Sequence, residues 1–418
     1  MSTAAGYTYQ VAAGAVVYGG VANPSSGGSS TTGVPYETVF ASAAFEYQSS
    51  PAHSPTGGEM VLVQLHGSGG DPRSVGDVYR AQLVAGESYQ QNNFFQWATR
   101  RESPAPVSVG GATLVTHSIN PHDYIGGLPN ASGDGNRGES FWLGWTNGPD
   151  ANKLRLYTEH RLDAMLNKWE RDNPSYSKTR RVLRGNSMGA WGSVTYGIRR
   201  AHMFSAIYAG APRWRCGDLA TRIWLMSWLQ TFSPTVYPIN ASPLLVDSDG
   251  GGTSADHLNL IPFVANTAND VPWIGWNIGR QDGYMPFQDH IDAIAALRAG
   301  KRGFAVAWND GNHGGAPNLD ATIVSSYPMG LFEIGNGYPL FTDHSLDANP
   351  AVDLAGGINI GLTFRNVVES AGAWSCQVTN INSACTVKVE PKSKVFVTAV
   401  AKQTVNIPSP GAWVSVSF

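Results

Sequence analysis

The feature that most limits the possible folds of this chain is an alternation of short apolar strands with helical segments. Apolar runs typical of buried strands occur at 61–65, 113–118, 181–183, 204–208, 273–278 and 304–308. Helical patterns occur at 92–101, 154–171, 188–202 and 286–299. Strands that alternate with helices form right-handed βαβ units. The sequence therefore predicts an α/β fold, a mostly parallel sheet with helices on both faces.

The remaining segments differ in composition from this alternating region. Residues 1–33 are small and polar, which predicts a flexible N-terminal segment. Residues 211–270 interrupt the alternation and are expected to form an insertion or lid within a catalytic domain spanning 1–345. Residues 346–418 contain short alternating runs, including 395–400, and turns with proline. This pattern predicts a small, separate C-terminal all-β domain, sandwich-like in architecture.

Two of the three cysteines lie close together in the predicted β domain. Cys376 and Cys385 flank a segment rich in asparagine and serine, a composition typical of a hairpin turn. A hairpin would bring the two sulfur atoms face to face, so we expect a Cys376–Cys385 disulfide, with two buried free thiols as the alternative. Cys216 would remain unpaired.

Composition excludes several classes of protein. The chain has 418 residues, of which 42% are hydrophobic and 14% are charged, and its net charge is -3. Disordered chains are charge-rich and apolar-poor, and no apolar run is long enough for a membrane span. Nucleic acid binding needs a basic surface, which a near-neutral chain does not suggest. The sequence does not indicate an oligomeric state.

The composition also favours an exported protein. Glycine is abundant, lysine is scarce and there are 13 tryptophans. The first residues have neither the charged region nor the apolar region of a signal peptide. The chain is therefore either cytosolic or a secreted or periplasmic protein whose leader is absent from this chain, and its composition favours the second.

The strongest chemical motif is Gly185-Asn-Ser187-Met-Gly189, between a predicted strand and a predicted helix. A serine at such a sharp turn projects toward both a base and a substrate, and its flanking residues must be small. The backbone N–H of Met188 would then face a developing oxyanion. Gly-rich residues 66–70 follow an earlier strand and suit the other half of the oxyanion hole, with Gly67 or Ser68 as the donor.

Two loops after later strands supply candidates for the acid and the base. Asp282 precedes Gly283 after the strand 273–278, and His313 lies in a Gly-rich loop after the strand 304–308. The order Ser187, Asp282, His313 is that of a nucleophile, an acid and a histidine in one group of serine hydrolases. The competing residues are Asp289, Asp292 and Asp310 for the acid, and His290 for the base.

Residues 60–320 resemble a serine esterase of the α/β-hydrolase superfamily. The resemblance lies in His66-Gly67, the segments 181–193 and 204–210, Gly279-Arg-Gln-Asp282 and Asn312-His313-Gly314. Within that superfamily the chain is similar to polyhydroxybutyrate depolymerase-like, feruloyl and acetyl esterases. The resemblance implies Ser187 as nucleophile, Asp282 as acid and His313 as base. It departs from the family pattern at Ala190, where a third glycine is common, and at Tyr284-Met-Pro286, where Val-Pro is frequent.

The expected activity is hydrolysis of carboxylic esters through an acyl-enzyme, on a polymer-linked ester such as an acylated polysaccharide, a feruloyl ester or a polyester. Trp142, Trp145 and Trp191 are candidates for substrate binding, although most tryptophans are simply core residues. No metal or other cofactor is expected, because no residues have the spacing of a metal site. A prolyl-oligopeptidase-like serine peptidase and a non-catalytic polymer-binding protein on a hydrolase fold remain the alternatives.

Overall fold

The structure is a computed structural model, and it describes part of the chain. The structure describes residues 60–65, 67, 142, 159, 162–163, 166–167, 170, 177–215 and 257–418. The backbone is also described in strands at 2–3, 6–10, 44–47, 97–109, 112–121, 153–154 and 245–246. Ser68 and Trp145 lie outside the described residues, as do Cys216 and most of the predicted insertion.

The strands are numbered in chain order. They are β1 Ser2–Thr3, β2 Gly6–Gln10, β3 Ala44–Tyr47, β4 Met60–Leu65, β5 Trp97–Val109, β6 Ala112–Pro121, β7 Lys153–Leu154, β8 Arg181–Asn186, β9 Ala206–Gly210, β10 Leu245–Val246, β11 Trp273–Gly279, β12 Phe304–Asn309, β13 Tyr338–Thr342, β14 Gly356–Ile358, β15 Leu362–Glu369, β16 Trp374–Asn380, β17 Cys385–Lys392, β18 Gln403–Ile407 and β19 Val414–Ser417. The helices that the structure describes in full are Met188–Ile198, Leu260–Ala265 and Phe287–Ala299, with short turns at His313–Gly315 and Asp320–Val324. Residues 159, 162–163, 166–167 and 170 are also helical.

An eight-stranded sheet forms the centre of the fold. Its strand order is β14-β12-β11-β9-β8-β4-β6-β5. The pairs from β12 to β6 are parallel, whereas the edge strands β14 and β5 are antiparallel to their neighbours. The predicted α/β fold with a mostly parallel sheet is therefore confirmed. The expected helix over 92–101 is wrong, because β5 begins at Trp97 and pairs along most of its length with β6.

Side chains alternate between the two faces of this sheet, so each face has its own core. On one face, Val61, Leu183, Ile207 and Val306 belong to a cluster with residues of the three helices. On the other face, Leu62, Val182, Ala206 and Ala305 belong to a second cluster. The second cluster includes the helical turn Asp320–Val324 and the apolar residues of the C-terminal strands.

The C-terminal strands form two antiparallel sheets of three strands, in the orders β13-β17-β18 and β15-β16-β19. This arrangement matches the predicted sandwich-like architecture. Strand pairing crosses the expected boundary at residue 345, however. β13 lies before that boundary and pairs with β17, while β14 lies after it and pairs with β12 of the main sheet. The predicted strand over 395–400 is wrong, since no strand occurs between β17 and β18.

The expected disulfide is also wrong. Cys376 lies in β16 and Cys385 in β17, and both are buried free thiols. The two strands belong to different sheets and do not pair, so they form no hairpin. Burial raises the pKa of Cys376 to about 12 and also raises that of Cys385. Both side chains instead fill the core of the β region as small apolar groups.

Two other expectations fall largely outside the described residues. For the predicted flexible N-terminal segment 1–33, the structure describes only β1 and β2, which pair with each other, and β2 also pairs with β3. In the predicted insertion 211–270, β10 pairs with β7 in parallel, and the helix Leu260–Ala265 packs into the main core. Whether the segment between them acts as a lid stays a prediction.

Candidate active site

Ser187 lies at a sharp turn between β8 and the helix that begins at Met188. Its backbone has φ 55° and ψ -121°, a conformation that L residues rarely adopt and that costs about 1–3 kcal/mol. The Ser187 N–H donates to the Gly210 carbonyl at 2.7 Å, and the Ser187 carbonyl accepts from the Trp191 N–H at 2.9 Å. The surrounding sheet and helix therefore hold the strained turn in place.

The glycines around this turn allow neighbouring chain to approach closely. A Cβ at Gly185 would collide with the backbone of Gly189. A Cβ at Gly67 would lie 3.3 Å from the Asn186 carbonyl oxygen and 3.8 Å from Ser187 Cβ. The Gly67 backbone thus lies directly beside Ser187, at the end of β4.

His313 begins a single helical turn, His313–Gly315, in the loop after β12. Its Nε2 lies 2.7 Å from Ser187 Oγ. Asn309 closes the loop, because its side-chain amide donates to the Gly315 carbonyl and its side-chain oxygen accepts from the Gly311 N–H. These bonds fix the part of the loop that carries His313.

Asp282 follows β11, and its side chain is fully buried. Its Oδ2 accepts a hydrogen bond from His313 Nδ1 at 2.6 Å, and its Oδ1 accepts from the backbone N–H groups of Tyr284 and Met285 at 2.8 and 3.0 Å. Burial would raise the pKa of this carboxyl. The hydrogen bonds from His313 and the two N–H groups outweigh burial and lower the pKa below its usual value. Asp282 is therefore a carboxylate at neutral pH.

The competing residues have other partners. Asp289 and Asp292 both form ion pairs with Arg215, at 2.8 and 2.9 Å. His290 is buried, and its Nδ1 accepts from Trp276 Nε1 at 3.2 Å. Burial lowers the pKa of His290 to about 3, so the imidazole of His290 is uncharged at neutral pH. Asp310 is exposed in the loop that precedes His313.

Met188 is the first residue of the helix that follows Ser187. An N–H in the first turn of a helix has no acceptor within that helix, and it lies at the positive end of the helix dipole. Met188 and Gly67 therefore border Ser187 from two elements, as the predicted oxyanion donors should. Ser68, the alternative to Gly67, lies outside the described residues.

Two of the three tryptophans predicted to bind substrate are buried in the main core. Trp142 and Trp191 are only 0% and 1% exposed, and both belong to the main core. Trp142 packs so closely on the helix that a Cβ at Gly192 would collide with it. Neither ring offers a face to a substrate, so their prediction as substrate-binding residues does not fit the structure. Trp145 lies outside the described residues.

Two residues near the site were missed by the sequence analysis. Arg213, just after β9, is buried, and its Nη1 donates to the Tyr284 carbonyl at 2.8 Å. The Tyr284 ring meets the His313 ring edge to face, with centroids 5.2 Å apart. The position of Tyr284, two residues after the candidate acid, was the available signal. Nothing in the local sequence linked Arg213 to that loop.

The described residues contain no group of three or more His, Cys, Asp or Glu side chains that could hold a metal ion. Within the same part of the chain, no helix has the length and apolar character needed to cross a membrane.

The parallel strand order, the strand–serine–helix turn and the loops that carry Asp282 and His313 define an α/β-hydrolase fold. No family model matches the chain, and no curated protein matches it in sequence. Solved structures do show similarity to this chain.

The acylaminoacyl peptidase of Pyrococcus horikoshii is 11% identical, with a TM-score of 0.36, and the match covers 61% of this chain and 33% of that one. The serine hydrolase FphF of Staphylococcus aureus is 15% identical, with a TM-score of 0.37 and coverage of 65% and 84%. An S-formylglutathione hydrolase from Agrobacterium tumefaciens is 15% identical, with a TM-score of 0.39 and coverage of 65% and 82%.

This chain spans about a third of the length of the acylaminoacyl peptidase. Similarity at such low TM-scores and identities does not indicate the activity of this chain.

Proposed function

We propose that this protein is a serine hydrolase that cleaves carboxylic esters through an acyl-enzyme on Ser187. The observation that carries this proposal is the unbroken hydrogen-bond chain from Ser187 Oγ through His313 to Asp282, at 2.7 and 2.6 Å. A serine hydroxyl is a weak nucleophile until a base takes its proton. An imidazole oriented by a carboxylate is such a base.

In the acylation step, Ser187 Oγ attacks the carbonyl carbon of the ester and its proton passes to His313 Nε2. The bond between that carbon and the alcohol oxygen then breaks. His313 Nε2 gives the proton to the departing alcohol, and the acyl group stays on Ser187. Asp282 holds His313 Nδ1–H throughout and stabilises the imidazolium that forms between the two transfers.

In the deacylation step, water takes the place of the alcohol. His313 removes a proton from the water as it attacks the acyl carbon, and returns a proton to Ser187 Oγ as the acid departs. The negative charge on the carbonyl oxygen in both steps would be met by the N–H of Met188 and by a second donor, Gly67 or Ser68. Each such donor is typically worth about 10²–10³ in rate.

We further propose that the ester is linked to a polymer and that the protein acts outside the cytoplasm. The resemblance to polymer-acting esterases supports the first point, and the abundance of glycine, the scarcity of lysine and the 13 tryptophans support the second. Cys376 and Cys385 lend no support to export, because a disulfide would have marked an oxidising compartment and both are free thiols.

Active-site labelling with a fluorophosphonate tests the proposal, together with rates on p-nitrophenyl esters, acylated polysaccharide, feruloyl ester, polyester and peptide substrates. We expect labelling and ester turnover in the wild type, and loss of both in Ser187→Ala, with turnover lowered by about 10⁴–10⁶. Ser325→Ala removes an exposed hydroxyl that bonds only to the Ala321 carbonyl, and serves as the matched control. If Ser187→Ala kept a tenth of the turnover, Ser187 would not be the nucleophile.

A further inference from the structure

Tyr284 is an aromatic side chain that lies against His313 and also faces solvent. Its ring is 5.2 Å from the His313 ring, at an interplanar angle of 71°. It is 53% exposed, and no other Phe, Tyr or Trp whose side chain the structure describes is exposed. Contact with a ligand would remove the exposed part of this ring from water and so add hydrophobic stabilisation beside the reactive group.

The backbone of Tyr284 is held on both sides. Its N–H donates to Asp282 Oδ1 at 2.8 Å, and its carbonyl accepts from the buried Arg213 guanidinium at 2.8 Å. The next residue, Met285, is buried in the main core. The ring therefore projects from a backbone that is already fixed, so ordering it around a ligand costs little.

The contact with His313 indicates which part of a substrate would meet this ring. In acylation, His313 Nε2 gives its proton to the alcohol oxygen, which must therefore come within about 3 Å of that nitrogen. Groups attached to the alcohol oxygen pass next to whatever packs against the His313 ring. The acyl group stays bonded to Ser187 and leads away from it.

We infer that Tyr284 forms one wall of a subsite for the alcohol portion of the ester, and that this subsite favours alcohols carrying a ring with an apolar face. Both an aryl ring and a pyranose ring have such a face and can pack on a tyrosine. This inference rests on the proposed ester hydrolase activity and specifies the substrate class of the same site.

The test compares acetate esters that differ only in their alcohol: phenyl acetate, an acetylated methyl xyloside and ethyl acetate. For Tyr284→Ala we expect kcat/KM on the two ring esters to fall roughly tenfold relative to ethyl acetate. The deacylation rate constant, obtained from burst kinetics with p-nitrophenyl acetate, should change less than about twofold, because the alcohol has already left. An effect on one ring ester alone supports the inference and identifies the ring as aryl or sugar.

Two variants serve as comparisons. Tyr284→Phe should keep the preference for ring alcohols, since the ring remains. Val397→Ala truncates a side chain of the C-terminal β region that is 79% exposed, and should change neither acylation nor deacylation.

Two outcomes would overturn the inference while leaving the esterase proposal intact. In one, Tyr284→Ala slows acylation and deacylation equally, which means that Tyr284 only positions His313. In the other, the ring preference is unchanged in Tyr284→Ala. If the wild type shows no ester turnover and no labelling of Ser187, the proposed function fails, and the inference fails with it.

Discussion

Asp282 uses its two carboxylate oxygens for different purposes. Oδ2 accepts from His313 Nδ1, and Oδ1 accepts from the Tyr284 and Met285 N–H groups, which keeps the carboxylate from rotating. An amide in this position would either present its NH₂ group to His313 or turn it toward the two backbone donors. Either orientation loses hydrogen bonds that the carboxylate makes.

We therefore predict that Asp282→Asn lowers kcat by about 10³–10⁴ with the fold retained, because the imidazole then adopts the wrong tautomer. Steady-state kinetics on a p-nitrophenyl ester, with circular dichroism to check folding, provides the measurement.

Two other variants serve as comparisons. Asp310→Asn, at an exposed position, should lose little activity. Asp289→Asn should reduce stability more than activity, since it breaks an ion pair with Arg215. A ranking in which Asp289→Asn or Asp310→Asn lost more activity than Asp282→Asn would place the acid elsewhere.

Sequence was sufficient to propose Ser187, Asp282 and His313, because each lies in a recognisable local setting just after a strand. It was not sufficient for residues whose position depends on distant packing. Trp142 and Trp191 look like binding residues in the sequence, yet both are buried in the main core. Arg213 and Tyr284 touch only because β9 and β11 are neighbours in the sheet.

At the scale of elements, strands in the parallel part of the sheet were predictable because they are buried on both faces and read as continuous apolar runs. β5 was not predictable in this way. It is held by antiparallel pairing with β6, from Trp97 opposite Pro121 to Val109 opposite Ala112. Such pairing depends on a partner strand, here β6. The alternation of apolar and polar residues within β5 alone therefore does not predict it.

A buried charge cluster lies at the C-terminal end of the helix that follows the serine turn. Glu159, which is fully buried, forms an ion pair with Arg200 at 2.9 Å and accepts from His257 Nε2 at 3.0 Å. Arg200 also makes two hydrogen bonds to Asp163, and Tyr196 donates to the same carboxylate. Burial would raise the pKa of Glu159, but His257 and Arg200 outweigh it and lower the pKa to about 2.

This shift predicts how stability depends on pH. The folded pKa of Glu159 lies below its unfolded value, so its contribution is complete above about pH 4.5 and is lost as pH falls toward 2. Glu159→Gln should lower the free energy of unfolding by about 3–5 kcal/mol at pH 7, because Arg200 loses a buried partner. The difference in the free energy of unfolding between the wild type and Glu159→Gln should be smaller at pH 3 than at pH 7.

Urea unfolding of both proteins at pH 7 and pH 3 measures this difference. Lys178→Ala, which removes an exposed ion pair with Glu170, is the comparison and should change stability by less than about 1 kcal/mol. If the difference in the free energy of unfolding caused by Glu159→Gln stayed constant or grew on acidification, this account of the charge cluster would be wrong.

At the scale of the whole molecule, the C-terminal strands share a core with the main sheet. Trp273 of the sheet stacks on Phe332 with centroids 4.6 Å apart, and Phe332 in turn contacts Phe364 of β15. Arg280, two residues before Asp282, donates to the Pro350 and Asp353 carbonyls at 2.6 and 3.0 Å. The region after residue 345 therefore also supports the loop that carries the proposed acid. The sequence suggested a separate domain after residue 345 because the composition of the chain changes at that point. A change in composition does not show whether two regions share a hydrophobic core.

We predict that a chain ending at residue 345 does not fold into a stable protein. Such a chain lacks β14, exposes the apolar second face of the sheet and leaves Arg280 without its two carbonyl acceptors. Thermal unfolding followed by circular dichroism, together with the soluble yield, is the measurement. A shortened chain with a cooperative transition and undiminished activity on a small soluble ester would show that the C-terminal region is an independent unit.

The most direct test of the central claim is to identify the acylated residue. Protein mixed with p-nitrophenyl acetate and quenched in acid within the burst phase should gain one acetyl group, detected by intact mass. Peptide mass spectrometry should place that group on Ser187, and Ser187→Ala should gain none. An acetyl group on another residue, or ester turnover without any acyl-enzyme in the burst phase, would contradict the mechanism.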